Sequence, residues 1–111
     1  MLRQNVNVPR IAQPAGSEDA LEPVGILGNL IRAAIIRSLR ANPGMTLGPL
    51  AEALHIPYTT VQARMAELEA AGMVIGDPPG GARRGTWIRY HVNDEAVTDL
   101  YLRLGLAIGE F

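Results

Sequence analysis

The sequence predicts a mainly helical domain carrying one small β-hairpin, and three observations lead there. Apolar residues recur at helical spacing in the segments 24–41, 58–71 and from 93 onward. A tight break, His55-Ile56-Pro57, separates two short helical segments. Two β-rich runs, residues 73–77 and 86–92, flank the turn-forming stretch DPPGGARRG at 77–85.

The totals limit what such a chain does. At 111 residues it holds one core, and with 48% hydrophobic and 19% charged residues most of it folds. The absence of cysteine excludes a disulfide framework and thiolate metal ligation. No apolar run approaches the roughly 18 residues of a membrane span, and the N-terminus lacks a signal-peptide core. The expectation is a cytoplasmic protein with no membrane partner. The net charge is −1, but all ten basic residues are arginine and their distribution is uneven. Arg32, Arg37, Arg40, Arg64, Arg83, Arg84 and Arg89 occupy the middle against Glu52, Glu67, Glu69 and Asp77, whereas acids dominate after Asn93.

Residues 1–23, with Pro9, Pro14, Gly16 and Pro23, read as an extended or disordered arm ahead of a folded domain at 24–111. The first helix is expected from Val24 to Ala41, with Leu27, Leu30, Ile31, Ala34, Ile35 and Leu39 facing the core. Its other face carries Ile26, Ala33 and Ile36 beside Arg32, Arg37 and Arg40. NPG at 42–44 stops it. Thr46 is placed to cap a second helix, Leu47 to His55, with Pro49 tolerated in its first turn. A third runs from Tyr58 to Ala71 with Val61, Met65 and Leu68 inward, ending at Gly72. After the hairpin, Asn93 or Asp94 caps a last helix reaching nearly to Phe111.

Two short helices joined by a tight turn form a helix-turn-helix, and the hairpin behind them supplies a wing. Arg83 and Arg84 then sit at the wing tip. With Val61, Met65 and Leu68 inward, Thr59, Gln62, Ala63 and Ala66 point outward, flanked by Tyr58, Thr60 and Arg64. Gln62 is suited to bidentate pairing with adenine, and Thr or Ala methyls to a thymine methyl. Tyr58, Thr60 and Arg64 suit phosphates, and Arg83 and Arg84 a phosphate or narrow minor groove. The plain alternatives are helix-start chemistry for Thr59 and Thr60, and a solvated surface for Gln62 and the arginine pair.

LAEALHIPYTTVQARMAELEAAGMV at 50–74 resembles the helix-turn-helix of bacterial winged-helix repressors of the ArsR type, with MarR-type regulators as cousins. GTWIRYHVNDEAVTDL at 85–100 is similar to the second wing strand and last helix of ArsR-like proteins. The resemblance spans about 24–104. It implies a homodimeric regulator of transcription, usually a repressor, that binds double-stranded DNA with its third helix and dimerises through the first and last. Dimerisation would engage Ile26, Ala33 and Ile36. The last helix adds a narrow seam of Val97, Leu100, Leu104, Ala107 and Phe111, with Gly105 and Gly109 allowing a second helix close.

The chain departs from the family at three points. MTLGPL stands where many metal sensors carry Cys-x-Cys, the last helix has no histidine, and Pro57 replaces the usual Ser or Thr cap. No metal site of the known ArsR types is therefore expected, and no cofactor. His55 and His91 stand on separate elements without paired carboxylates, and no Gly-rich phosphate loop occurs, so no catalytic residues are assigned and an enzyme is not expected. A small effector between the first and last helices fits the class, but five aromatics give it little support. The rival reading is a winged-helix module that binds protein, with incidental DNA affinity.

Overall fold

A computed structural model describes residues 13–80 and 87–111. A short 3-10 turn at Glu18–Ala20 leads into α1 (Leu21–Leu27), followed by α2 (Leu30–Ala41), α3 (Leu47–Leu54) and α4 (Tyr58–Ala70). The hairpin strands are β1 (Val74–Asp77) and β2 (Arg89–Val92), and α5 (Asp94–Ala107) closes the chain.

The first helix expected from the sequence is two helices, and it starts earlier. Residues 18–23, read as part of an arm, are helical, with the Pro23 ring fully buried in the first turn of α1, where its missing N–H costs nothing. The break lies at Gly28-Asn29. A Cβ on Gly28 would lie 2.5 Å from the Val24 carbonyl oxygen, so the chain closes α1 only with glycine there. Asn29 is extended, and its side chain accepts from the Arg32 N–H at 2.9 Å, capping α2. α2 turns Ile35, Ile36 and Leu39 into the core. Leu30, expected inward, is 86% exposed: five residues from Ile35, it lies about 140° around the helix from that stripe.

Each later helix ends on a residue that turns the chain sharply. Thr46 takes the N-cap position of α3 with extended backbone but no side-chain cap bond. His55 ends α3 in the left-handed region (φ 55°, ψ 41°), and the Ile56 N–H reaches back to the Ala51 carbonyl at 3.1 Å. Pro57 follows with φ −55° and starts α4, whose Val61, Met65 and Leu68 are buried. Gly72 (φ +80°) ends α4, with the Met73 N–H donating to the Leu68 carbonyl at 2.9 Å.

β1 and β2 pair antiparallel, with Val74 opposite Val92 and Asp77 opposite Arg89. The far edge of β2 is pinned to the loop before α3. Tyr90 N–H donates to the Met45 carbonyl at 3.0 Å, and Gly44 N–H to the Tyr90 carbonyl at 2.9 Å. Asn93 then anchors the start of α5. Its N–H bonds the Met73 carbonyl at 2.9 Å, its amide bonds the Gly72 carbonyl, and its side-chain oxygen accepts from Ala96 N–H. Asp94 and Glu95 in the first turn complement the helix dipole.

α5 stops at Ala107, short of the expected end. Gly109 is left-handed and the Phe111 ring folds back over Gly105, where a Cβ would come within 2.5 Å of a ring carbon. The small residue expected to admit a partner helix is thus filled from the same chain. α1 lies against α5, with an Arg103–Glu22 ion pair at 2.8 Å across them.

The left-handed His55 gives a direct test of this turn. His55→Gly is expected to be at least as stable as the parent, whereas the β-branched His55→Val should lose about 1–2 kcal/mol. Urea denaturation of the three proteins measures both differences.

Candidate nucleic-acid interface

Burying Val61, Met65 and Leu68 leaves the other side of α4 to solvent: Tyr58, Thr59, Gln62, Ala63 and Ala66 are all exposed, and Thr60 is half-buried. The five exposed residues form a continuous face about two turns long, almost free of charge. Its two alanines keep it low enough for the helix to sit deep in a groove. Trp87 and Ile88, just ahead of β2, line one cavity with Tyr58 at the start of α4, and on β2 Tyr90 is buried while Arg89 and His91 are exposed. Arg83 and Arg84, assigned to the wing tip from the sequence, lie outside the described residues.

Arg64 differs from its expected role as a free phosphate ligand. One guanidinium nitrogen pairs with a Glu67 carboxylate oxygen at 2.7 Å, while the other Glu67 oxygen is bound by Arg32. Arg64 Nε is buried with no partner. Arg32 in turn donates from Nε to the Ile26 carbonyl at 3.1 Å and from a terminal nitrogen to the Gly25 carbonyl. Both carbonyls belong to the last turn of α1, which lacks helical partners for them. One carboxylate therefore links the end of α1, the start of α2 and the outer edge of α4. The sequence places Arg32 only on the outer face of the first helix. Arg40, placed alongside it, pairs with Asp94 at 2.8 Å within the chain. No periodic pattern announces these partners, because they come from elements 35 and 54 residues away.

The residues assigned to a dimer seam divide. Ile36, Val97 and Leu100 are buried in the chain's own core, so their side chains are not available to a partner. Ile26 is half-buried against that core, Leu104 is half-buried, and Ala33, Ala107 and Phe111 are exposed. Exposed apolar residues that the seam did not include, Tyr101, Leu102, Leu106 and Ile108, accompany them on and after α5. Among the described residues no cluster of three or more His, Cys, Asp or Glu could hold a metal ion, and no helix is long and apolar enough to cross a membrane.

The order α2, α3, turn, α4, β1, β2 and the pinned wing decide the architecture, and residues 29–75 match the family model described as winged helix-turn-helix DNA-binding. The fold is a winged helix-turn-helix. Solved structures sharing this winged helix-turn-helix shape include the AntR antimony-specific transcriptional repressor, with TM-score 0.60 and 20% identity over 99% of this chain and 94% of that one. CouR, a transcriptional repressor bound to a 23-mer DNA duplex, gives TM-score 0.56 and 22% identity over 84% of this chain and 65% of its own. The PcaV transcriptional regulator from Streptomyces coelicolor gives 0.53 and 18%, over 83% and 71%. No curated protein matches the sequence. At these identities the likeness establishes the winged helix-turn-helix itself and does not separate the ArsR type from the MarR type.

The Glu67 bridge is half-exposed at Glu67, with 42% of that side chain open to solvent, so screening limits what it contributes. Glu67→Gln is expected to lower stability by no more than about 1 kcal/mol, and by less as salt is raised. Urea midpoints at low and high NaCl provide the check.

Proposed function

We propose that the chain is a cytoplasmic, sequence-reading regulator of transcription that binds double-stranded DNA as a homodimer and represses at an imperfectly palindromic operator. The observation that carries this reading is the outward face of α4, where Thr59, Gln62 and Ala63 stand clear of the core beside the wing. Its low relief suits the major groove, and Gln62 supplies the one side-chain amide on that face able to pair with an adenine edge. Tyr58 and Thr60 flank it toward the phosphates. Arg64 reaches the phosphates only while it stays on Glu67 or by exchanging one partner for the other. Arg83 and Arg84 keep their proposed place at the wing tip, on phosphates or a flanking minor groove. The winged helix-turn-helix match over 29–75, and a similar fold solved on a DNA duplex, support this reading.

The proposed dimer uses the apolar surface that the monomer leaves open. Leu102, Leu106, Ile108 and Phe111 expose large side chains along the end of α5, joined by Leu21 and Val24 of α1. Together with Ala107 and half-buried Leu104, this surface takes over the role that Ile36, Val97 and Leu100 cannot fill. A two-fold pair of α4 helices would address half-sites about one helical turn apart.

Fluorescence anisotropy against the duplex upstream of the chain's own gene and a scrambled duplex, at two salt concentrations, tests the DNA reading. Preference for the native duplex with steep salt weakening supports it, since each neutralised phosphate contributes about −0.9 to the log–log salt slope. No binding to either duplex at low salt overturns it and favours a protein-binding module. Gln62→Ala is expected to cost about 1–3 kcal/mol on the native duplex and little on the scrambled one. Replacing Arg83 and Arg84 together by Glu should weaken both duplexes alike. Leu106→Glu, at an exposed position, is expected to leave the fold intact and shift the chain to monomer by light scattering.

A further inference from the structure

An open cavity of about 370 Å³ lies where the first turn of α3, the start of α4 and the approach to β2 meet. Its walls are Leu47 and Pro49 from α3, Tyr58 from α4, and Trp87 and Ile88 ahead of β2. The volume falls in the range that holds a small organic molecule. Two of the chain's five aromatic residues line it together, from positions 29 residues apart. Both are open to solvent, Trp87 at 79% and Tyr58 at 50%. An indole that exposed is a large apolar surface left largely uncovered among the described residues.

The lining also defines the chemistry of an occupant. No charged side chain lines the cavity among the described residues, so nothing there neutralises an ionic group. The polar groups on offer include the Trp87 indole N–H, the Tyr58 hydroxyl and the hydroxyl of Thr46, which makes no cap bond to α3. A flat aromatic body between Trp87 and Tyr58, with Leu47, Pro49 and Ile88 behind it, would carry one or two neutral hydrogen-bonding groups toward those hydroxyls.

We infer that this cavity is a binding site for a neutral, planar aromatic molecule of one or two rings, and that occupancy and DNA binding exclude one another. The second clause rests on the DNA reading proposed above. Tyr58 opens the helix whose next outward residues are Thr59 and Gln62, and Trp87 stands at the base of the wing. A DNA strand straddled by α4 and the wing must pass this gap, and a ligand between the two rings fills it.

The full-length chain can be titrated with 2-naphthol, uncharged at neutral pH, and with its anionic counterpart 2-naphthoate. Trp87 is the only tryptophan, so its indole N–H gives a single NMR cross-peak that needs no assignment by mutation. 2-Naphthol is expected to shift that peak and the Gly48 amide with a Kd on the order of 0.1–1 mM. 2-Naphthoate should bind at least fivefold more weakly. Trp87→Ala should weaken 2-naphthol tenfold or more. Gly48→Leu, which grows into open space beside the cavity, should block it without disturbing the fold. No shift of either signal at millimolar 2-naphthol, or unchanged affinity in both variants, overturns the site. Saturating 2-naphthol should weaken native-duplex binding at least fivefold in the parent and not in Trp87→Ala; undiminished DNA binding by the occupied protein overturns the exclusion. If Trp87→Ala loses DNA affinity while 2-naphthol fails to bind, the cavity belongs to the DNA backbone instead. Should the parent bind no duplex at all, the DNA reading falls, and the indole shift alone still decides the site.

Discussion

The burial of one stripe on α4 constrains everything else that this molecule presents. Val61, Met65 and Leu68 pack into the core that α2 builds from Ile35 and Leu39, and each such side chain contributes about 1.5–3 kcal/mol relative to exposure. A rotation of α4 by even a quarter turn would bring Gln62 or Ala66 into that core and expel Met65. The outward identity of Thr59, Gln62 and Ala63 is thus enforced by hydrophobic packing on the opposite side, with no need for the outward face to stabilise itself. Such a face is free to carry residues chosen for a partner. It carries small and neutral ones.

The same logic explains what the sequence made legible. The interior of α4 was readable because its stripe is regular and its end is marked by Gly72, and the hairpin because turn residues separate two β-rich runs. The first helix misled because periodicity alone cannot see a cap inside an apolar stretch. Asn29 and Gly28 sit where a continuous helix would tolerate them, yet Asn29 caps α2 and Gly28 allows the close return of the chain onto Val24. Once the helix breaks there, the phase of what precedes it is no longer tied to Ile35, while Leu30, in the same helix as Ile35, faces outward by its own offset from that stripe.

The residues of the expected dimer seam divide for a different reason. A +3, +4 spacing identifies one apolar face of a helix but not what covers it. Val97 and Leu100, nearest the start of α5, are covered by the chain's own core, where Asn93 fixes that start against Met73 and Gly72. The second half of the helix extends beyond that core and leaves its apolar residues exposed. The boundary between the two regimes falls within a single helix and depends on the lengths of the neighbouring elements. Sequence spacing does not encode that boundary.

Long-range polar contacts were the least readable of all, and they sort the arginines in a way that bears on function. Arg32, Arg40, Arg64 and Arg103 are each held by an acid of this chain, and Arg32 also satisfies carbonyls at the end of α1. Arg32, Arg40 and Arg103 thereby join separate helices. In the proposed DNA complex a face of Thr, Gln and Ala would draw little affinity from charge, so attraction to phosphates would come from the wing and discrimination between bases from α4. Because β2 is pinned on one edge to β1 and on the other to Met45 just ahead of α3, the base of the wing and the helix-turn-helix cannot move independently. A ligand in the proposed site between Trp87 and Tyr58 would work against that shared frame.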